Sequence, residues 1–341
     1  MLYSWHQSAW HEVRGRRDNF PHAVLLHGPQ GIGRSGFALA LAQSLICAAP
    51  QPDRSACGEC EHCNWFAQGC HPDFRDVQPE VAEEGGEQRE KSEAPAKRAS
   101  TQITIEQIRT LRDFLGLTSG GATRQRVVVL RPAEALNAHA ANALLKMLEE
   151  PPAGANFILV ATAPRRLLPT VVSRCRKVAL PAPSRFDALA WLAAQGQANA
   201  DLLLGQAGGA PLRALRAADP AYQQARTRFL DALAGLDSVA AVLGLAASLT
   251  RAPLDNVLHW IATWCDDLAR RQCGGEVRYN LDYRAAIERL AARIAAAPLF
   301  AHHAAILATL RSAAHPLNQQ LVLEQLLLSY WQLARAKPSH D

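Results

Sequence analysis

No apolar run in the 341 residues reaches the roughly 18 that a membrane-spanning helix needs. The opening stretch, MLYSWHQSAWHEVRGRR, lacks the apolar core of a signal peptide. A cytoplasmic location is the expectation. In that compartment the eight cysteines are expected to be thiols or metal ligands rather than disulfides. Aromatic residues make up only 6% of the chain, so there is little with which to build a stacking platform for bases. A large excess of either charge is also missing. The net charge of +5 permits contact with nucleic acid without demanding it. What is plentiful is apolar content, 49%, enough for packed cores, and the length argues for two or three domains. No internal repeat is found.

Along the chain, Ala23–His27 (AVLLH) reads as a short buried strand running into a glycine-rich loop and then a helix from about Ser35 to Cys47. A cysteine-rich loop follows, then a short strand at Phe74–Val77. Residues 80–100 are polar, mixed in charge and free of aromatics, the composition of a flexible surface insertion. Ile105, Ile108, Leu111 and Leu115 give residues 103–115 a helical period. Strands at Val127–Leu130 and Phe157–Thr162 flank a helix from about Asn137 to Glu150, which Pro151 and Pro152 stop. Strands alternating with helices predict an α/β core with a largely parallel sheet. After the linker-like PAPS at 181–184, strand signals vanish and alanine and leucine dominate. A small helical domain and an all-helical one are expected there. In the last helix, about Asn318 to Ala336, the stripe Leu321, Leu323, Leu327 and Leu328 reads as a core face.

Gly28-Pro29-Gln30-Gly31-Ile32-Gly33-Arg34-Ser35 fits the phosphate-binding loop G-x-x-x-x-G-K-[ST] at all positions but one. Its glycines let backbone N–H groups converge on phosphate oxygens at a helix N-terminus. Arg34 replaces the lysine, a planar fork in place of a compact point charge. A second departure is larger. The residues after the Val127 strand, where a P-loop ATPase places an Asp-Glu pair for Mg²⁺ and the attacking water, are Arg131 and Pro132. Glu134, the one acid nearby, sits three residues late. Two readings stay open: a loop that still binds phosphate, and a loop kept only as a turn.

Cys47, Cys57, Cys60 and Cys63 can close tetrahedrally around Zn²⁺ with no open position, which predicts a structural site. Cys70, His62 and His71 lie nearby as spares. CxxC occurs twice, but a thiol–disulfide site needs a thioredoxin-like context that is missing. Cys175, Cys265 and Cys273 stand alone and are expected to be buried as small apolar residues.

GPQGIGRS, the four-cysteine insert followed by GCHPDF, LNAHAANALLKMLEEPP and LLPTVVSRCRKV occur here in that order. In this the chain, over roughly Ala23 to Leu215, resembles the bacterial clamp loaders, AAA+ proteins of the replicative DNA polymerase III holoenzyme. Its C-terminal helices fit by pattern only. The altered lysine and the missing acids look like the delta-prime branch rather than the gamma/tau motor. The resemblance implies an AAA+ module over 1–181 with the zinc insert, a small helical lid over 182–216 and a helical collar over 217–341. It implies a non-hydrolytic scaffold of a hetero-pentamer with gamma/tau and delta, acting through them on the sliding clamp and primed DNA. Ser173-Arg174-Cys175 matches the family's SRC motif, whose arginine is a finger reaching the ATP site of a neighbouring subunit. Thr162 matches the sensor-1 position and Arg213 a sensor-2 arginine. With Gly28, Gly31, Gly33, Arg34 and Ser35 they would form a degenerate nucleotide site that holds ATP weakly or not at all. Such a chain would be no enzyme by itself. Two other classes compete with this reading. One is an active ATPase motor with an Arg-variant loop. The other is a zinc-dependent nucleic-acid binder using the basic segments Arg124–Arg126 and Arg174–Lys177.

Overall fold

The computed structural model describes residues 2–14, 20–80, 101–116, 125–312 and 318–335. The expected insertion at 80–100 falls outside them except for Glu80, as does Arg124. The chain divides into two compact units, Met1–Asp187 and Ala188–Asp341.

In the first unit the elements run α1 (Gln7–Arg14), β1 (Ala23–His27), α2 (Arg34–Ile46), α3 (Glu61–Ala67), β2 (Phe74–Val77), α4 (Ile105–Gly116), β3 (Arg126–Leu130), α5 (Ala138–Glu149), β4 (Ala155–Ala161), α6 (Pro169–Ser173) and β5 (Arg176–Ala179). The five strands form one sheet in the order β2-β3-β4-β1-β5, and every pairing is parallel. Parallel strands are buried on both faces because their crossovers cover them. β3 and β4 are accordingly buried along their whole length. Alternate residues serve opposite faces. Leu25, Val128, Leu130, Phe157 and Leu159 pack with α4, α5 and α6, whereas Val24, Leu26, Val127, Val129, Ile158 and Val160 pack with α1 and α2. β1 lies between β4 and β5, so the strand order reverses beside it, and ligand sites of open parallel sheets form at such a switch point.

Local chemistry sets the element ends. Asn137 caps α5 by accepting the Ala140 N–H at 2.8 Å, an interaction worth about 1 kcal/mol. The helix buries Ala140, Ala141, Leu144, Met147 and Leu148 and ends before the two prolines. Among the elements that escaped the sequence pattern, two bear on the site. β5 is an edge strand, RKVA, with only Val178 buried. The cysteine-rich stretch, expected as a loop, contains α3, which carries Cys63 into the interior.

The second unit is helical: α7 (Arg185–Ala194, entering it at Ala188), α8 (Ala200–Gln206), α9 (Pro211–Ala217), α10 (Pro220–Ala234), α11 (Val239–Ser248), α12 (Leu254–Gln272), α13 (Arg284–Ala291), α14 (Ala296–Ser312) and α15 (Gln319–Arg335). It has two apolar clusters. A small one joins Ala188, Leu192, Leu203, Leu204, Ala207 and Ala214. A large one surrounds α12, where Trp264 donates to the Tyr330 hydroxyl at 2.8 Å. Gln223 of α10 links the two by donating to the Gln206 side chain and the Ala217 carbonyl. On α15, Leu323 and Leu327 are in the core and Leu328 packs beside it, but Leu321 is 61% exposed. Leu321 lies two residues before Leu323, about 200° round the helix, and so points away from the face that Leu323 and Leu327 bury. Cys265 is fully buried, as expected, while Cys273, in the turn that ends α12, is exposed.

The buried carboxylate of Asp267 organises the loop after α12. It accepts the backbone N–H groups of Arg278, Tyr279 and Asn280 and the Asn280 side chain. Arg226 continues the network to Asn280 and Asp282. Asp267→Ala would leave three backbone donors without an acceptor. The expected loss is about 2–4 kcal/mol in urea unfolding, and a loss near zero would show that the loop holds itself.

Candidate functional site

The switch point gathers the residues that the sequence singles out. β1 ends at His27, opposite Ala161 of β4 and Ala179 of β5. The glycine loop therefore starts beside Thr162, the residue after β4. Gly33 adopts φ +97°, and a side chain there would run into the ring of Tyr3. Gly28 lies so close to the Leu180 carbonyl that a Cβ would sit 2.5 Å from its oxygen. The loop thus keeps its sharp shape, but its Gly33 side is covered by the chain's own N-terminus. Tyr3 stacks on Trp5 with ring centroids 4.7 Å apart, and the Trp5 indole N–H donates to the Ile32 carbonyl at 2.9 Å.

Arg34 turns inward rather than toward solvent. Its Nη2 donates to Thr162 Oγ1 at 2.7 Å, and its Nη1 is buried with no hydrogen-bond partner. Burial lowers the Arg34 pKa, and the charge of Glu134 opposes that shift. Glu134 Oε1 accepts the backbone N–H groups of Thr162 at 2.5 Å and Ala163 at 2.8 Å. The two charges thus meet through Thr162. Ser35 stands half-buried in the first turn of α2. Arg131, in the place of an acid, pairs with Asp76 at the end of β2. Nε donates to Oδ1 at 2.9 Å and Nη2 to Oδ2 at 2.5 Å. Asp76 and Glu134, the carboxylates at these strand ends, are therefore both engaged by protein groups.

On the far side of β5's start, α6 places Arg174 at its C-terminal end, half-buried, with Nη1 donating to the Thr170 carbonyl at 3.1 Å. Ser173 is exposed and also donates to that carbonyl, at 3.0 Å. Cys175 is buried against the α5–α6 side of the sheet, and burial pushes its thiol up to about 12. A thiol held neutral in this way packs and does not react. Arg213 lies in the second unit, at the start of α9. There its charge adds to the burial that pushes His259 down to about 4.

The sulfurs of Cys47, Cys57, Cys60 and Cys63 all lie within 4.8 Å of one another. Cys47–Cys57 is 3.5 Å, and Cys47–Cys60 and Cys57–Cys63 are 3.9 Å. A tetrahedron with bonds of about 2.3 Å to its centre has edges of about 3.8 Å. The N–H groups of Cys57 and Cys60 also point at the sulfurs of Cys47 and Cys57, at 3.3 and 3.4 Å, as suits thiolate acceptors. The four thiols can therefore hold a metal ion such as zinc.

Comparison with known proteins matches this layout. A family model described as DNA polymerase III, delta subunit, matches residues 10–184, and its C-terminal counterpart matches residues 220–332. A DNA polymerase III subunit delta′ of Pseudomonas aeruginosa is 36% identical over 80% of this chain and 78% of its own. One of Yersinia pestis is 32% identical over 97% of this chain and 96% of its own. The chain belongs to the DNA polymerase III delta′ family. A gamma/tau subunit of Mycobacterium bovis shares 33% identity with 45% of this chain and covers only 23% of its own.

In this delta′-family chain the structure adds residues that motif reading passes over. Tyr3, Trp5 and His6 cover the loop. The signal was a cluster of rings in the first six residues of an aromatic-poor sequence. Asp76 and Glu149, the ion-pair partners of Arg131 and Arg174, come from distant segments and carry no local signal.

His6 is fully buried among Tyr3, Trp5 and Phe37, neither ring nitrogen has a hydrogen-bond partner, and burial pushes its pKa down to about 4 from 6.5. The unfolded chain binds that proton near pH 6.5, and the fold resists it until about pH 4. Its contribution to stability is therefore complete above pH 6.5 and is lost as pH falls toward 4. His302, lowered to about 4 by burial, acts in the same sense. The urea midpoint is expected to fall between pH 6.5 and 4, and His6→Phe to flatten part of that slope. An unchanged slope in the variant would mean that His6 is protonated in the fold.

Proposed function

We propose that this chain is a non-hydrolytic subunit of the DNA polymerase III clamp loader. It is a scaffold of a hetero-pentamer with gamma/tau and delta that places the sliding clamp on primed DNA during replication. Membership of the delta′ family supports the assembly, as does the match of part of the chain to a gamma/tau subunit. In this reading residues 1–181 are the AAA+ module, 182–216 the lid and 217–341 the collar.

The observation that carries the reading is the contrast between Arg34 and Arg131, held inside the chain, and Arg174. Arg34, where a motor holds phosphate, is tied to Thr162 inside the chain. Arg131 occupies an acid's place and is neutralised by Asp76. With Tyr3 over Gly33 as well, one terminal nitrogen of Arg34, one oxygen of Glu134 and the Arg131 guanidinium are taken up by the chain's own groups, and in this reading ATP binds there weakly or not at all. Arg174 stands instead at the surface end of a short helix. Set against the γ-phosphate of a neighbour's ATP, its guanidinium would stabilise charge that develops during transfer. The catalytic contribution is then made in trans, and the chain is no ATPase alone. Ser173 and Cys175 fix the arginine's place by hydrogen bonding and packing.

In a loader reconstituted from full chains, Arg174→Ala is expected to lower DNA- and clamp-stimulated ATPase by at least tenfold, toward the roughly 10³–10⁵ of well-studied fingers. The pentamer should still assemble. Unchanged turnover would reduce the chain to a scaffold, and steady ATP turnover by the wild-type chain alone would overturn the non-hydrolytic reading.

The four-cysteine cluster is a structural zinc site in this proposal, since among the described residues no fifth donor joins the set and all four positions are thiols. The purified chain should contain about one zinc per molecule by elemental analysis. Cys60→Ser should lose it and lower the thermal midpoint. Full zinc content in that variant would place the metal elsewhere.

A further inference from the structure

Arg174 has a partner that no motif announces. Glu149 is the last residue of α5, and its carboxylate forms an ion pair with Arg174 Nη2. The other terminal nitrogen, Nη1, donates to the Thr170 carbonyl at 3.1 Å and to Ser173 Oγ at 3.4 Å. The guanidinium is thus gripped from two sides, by a carboxylate of α5 and by the end of α6.

Both grips are anchored. Leu148, next to Glu149, is buried in the core, and its carbonyl lies 3.1 Å from His22 Nε2. The Glu150 N–H closes the helix on the Lys146 carbonyl at 3.2 Å. On the α6 side, Val171 and Cys175 are buried on either side of Ser173 and Arg174. The pair itself is open to water, with side-chain exposures of 36% for Arg174 and 47% for Glu149. An exposed pair of this kind adds little to stability. What it does change is the freedom of the arginine. A loose arginine side chain spreads over many rotamers, which it must give up to act.

We propose that Glu149 is a positioning residue for Arg174, fixing the guanidinium in the pose from which it serves the neighbouring subunit. This inference rests on the reading of Arg174 as a finger acting in trans. A guanidinium has five N–H donors. The contacts to Glu149, Thr170 and Ser173 use Nη1 and Nη2, so Nε and the outward N–H remain for a phosphate oxygen. The carboxylate's oxygen, rather than its charge, is what the geometry needs.

The test uses the loader reconstituted from full chains, with kcat and KM for ATP measured under DNA and clamp stimulation. Glu149→Ala is expected to lower kcat on the order of tenfold, as misplacement of a catalytic group does, with KM within about twofold of wild type. Glu149→Gln keeps an acceptor oxygen and should restore kcat to within about twofold. In an Arg174→Ala background, Glu149→Ala should have no further effect, because the two substitutions remove one function. Wild-type kcat in Glu149→Ala, beside a large loss in Arg174→Ala, would overturn the positioning role and leave the finger standing. A rise in kcat would also overturn it, making the carboxylate a brake. Unchanged turnover in Arg174→Ala would remove the finger and the positioning role together. Both side chains are half in solvent, so the variants keep the fold, and gel filtration of the assembled loader checks that they do.

Discussion

The insertion of β1 between β4 and β5 is the constraint on which the functional unit depends. Because all three strands are parallel, their C-terminal ends share one edge, and the register sets His27 against Ala161 and Ala179. The glycine loop, Thr162 and the connection to α6 begin at that edge. Strand pairing therefore decides which side chains can meet. Arg34 reaches Thr162 across 128 residues of sequence because two strands lie side by side. The burial of β3 and β4 on both faces makes the register hard to shift, since a slip of one residue would exchange the two cores.

The site at that edge is a polar network that leaves two buried atoms, Arg34 Nη1 and Glu134 Oε2, without a hydrogen-bond partner. Glu134 holds the start of the segment after β4, Arg34 holds the Thr162 hydroxyl, and Asp76 holds Arg131. Hydrogen bonds to charged groups in such partly buried places contribute more than neutral ones, about 1.5–3 kcal/mol each. Here they join the loop, the strand ends and the sheet edge into one piece.

Much of this was legible in the sequence, for identifiable reasons. Long apolar strands and the periodic α4 and α5 announced themselves, because burial on one or both faces leaves a period. The expected first strand, Ala23–His27, matches β1 residue for residue. The cysteine spacing was readable because a metal set needs its donors at short separations. β5 was not, because an edge strand of two cations and two small apolar residues buries only Val178 and shows no apolar run. Cys273 was misread as buried because an isolated cysteine carries no sign of the turn it sits in, and Leu321 because its spacing of two from Leu323 puts it on the other face of the helix. The partners of Arg131 and Arg174 were invisible for a different reason. An ion pair between residues 55 or 25 positions apart depends on the tertiary fold, and a single sequence carries no mark of it.

The Arg131–Asp76 pair has a consequence for how these positions can change. Replacing Arg131 by aspartate, the first step toward a metal-binding strand end, would set that carboxylate where Asp76 now receives a guanidinium. Two like charges would face each other with no cation between them. Restoring a lysine at Arg34 would likewise leave Thr162 without its present donor. Either substitution alone would take one partner from a network whose members hold one another, so these positions are coupled and change most cheaply together.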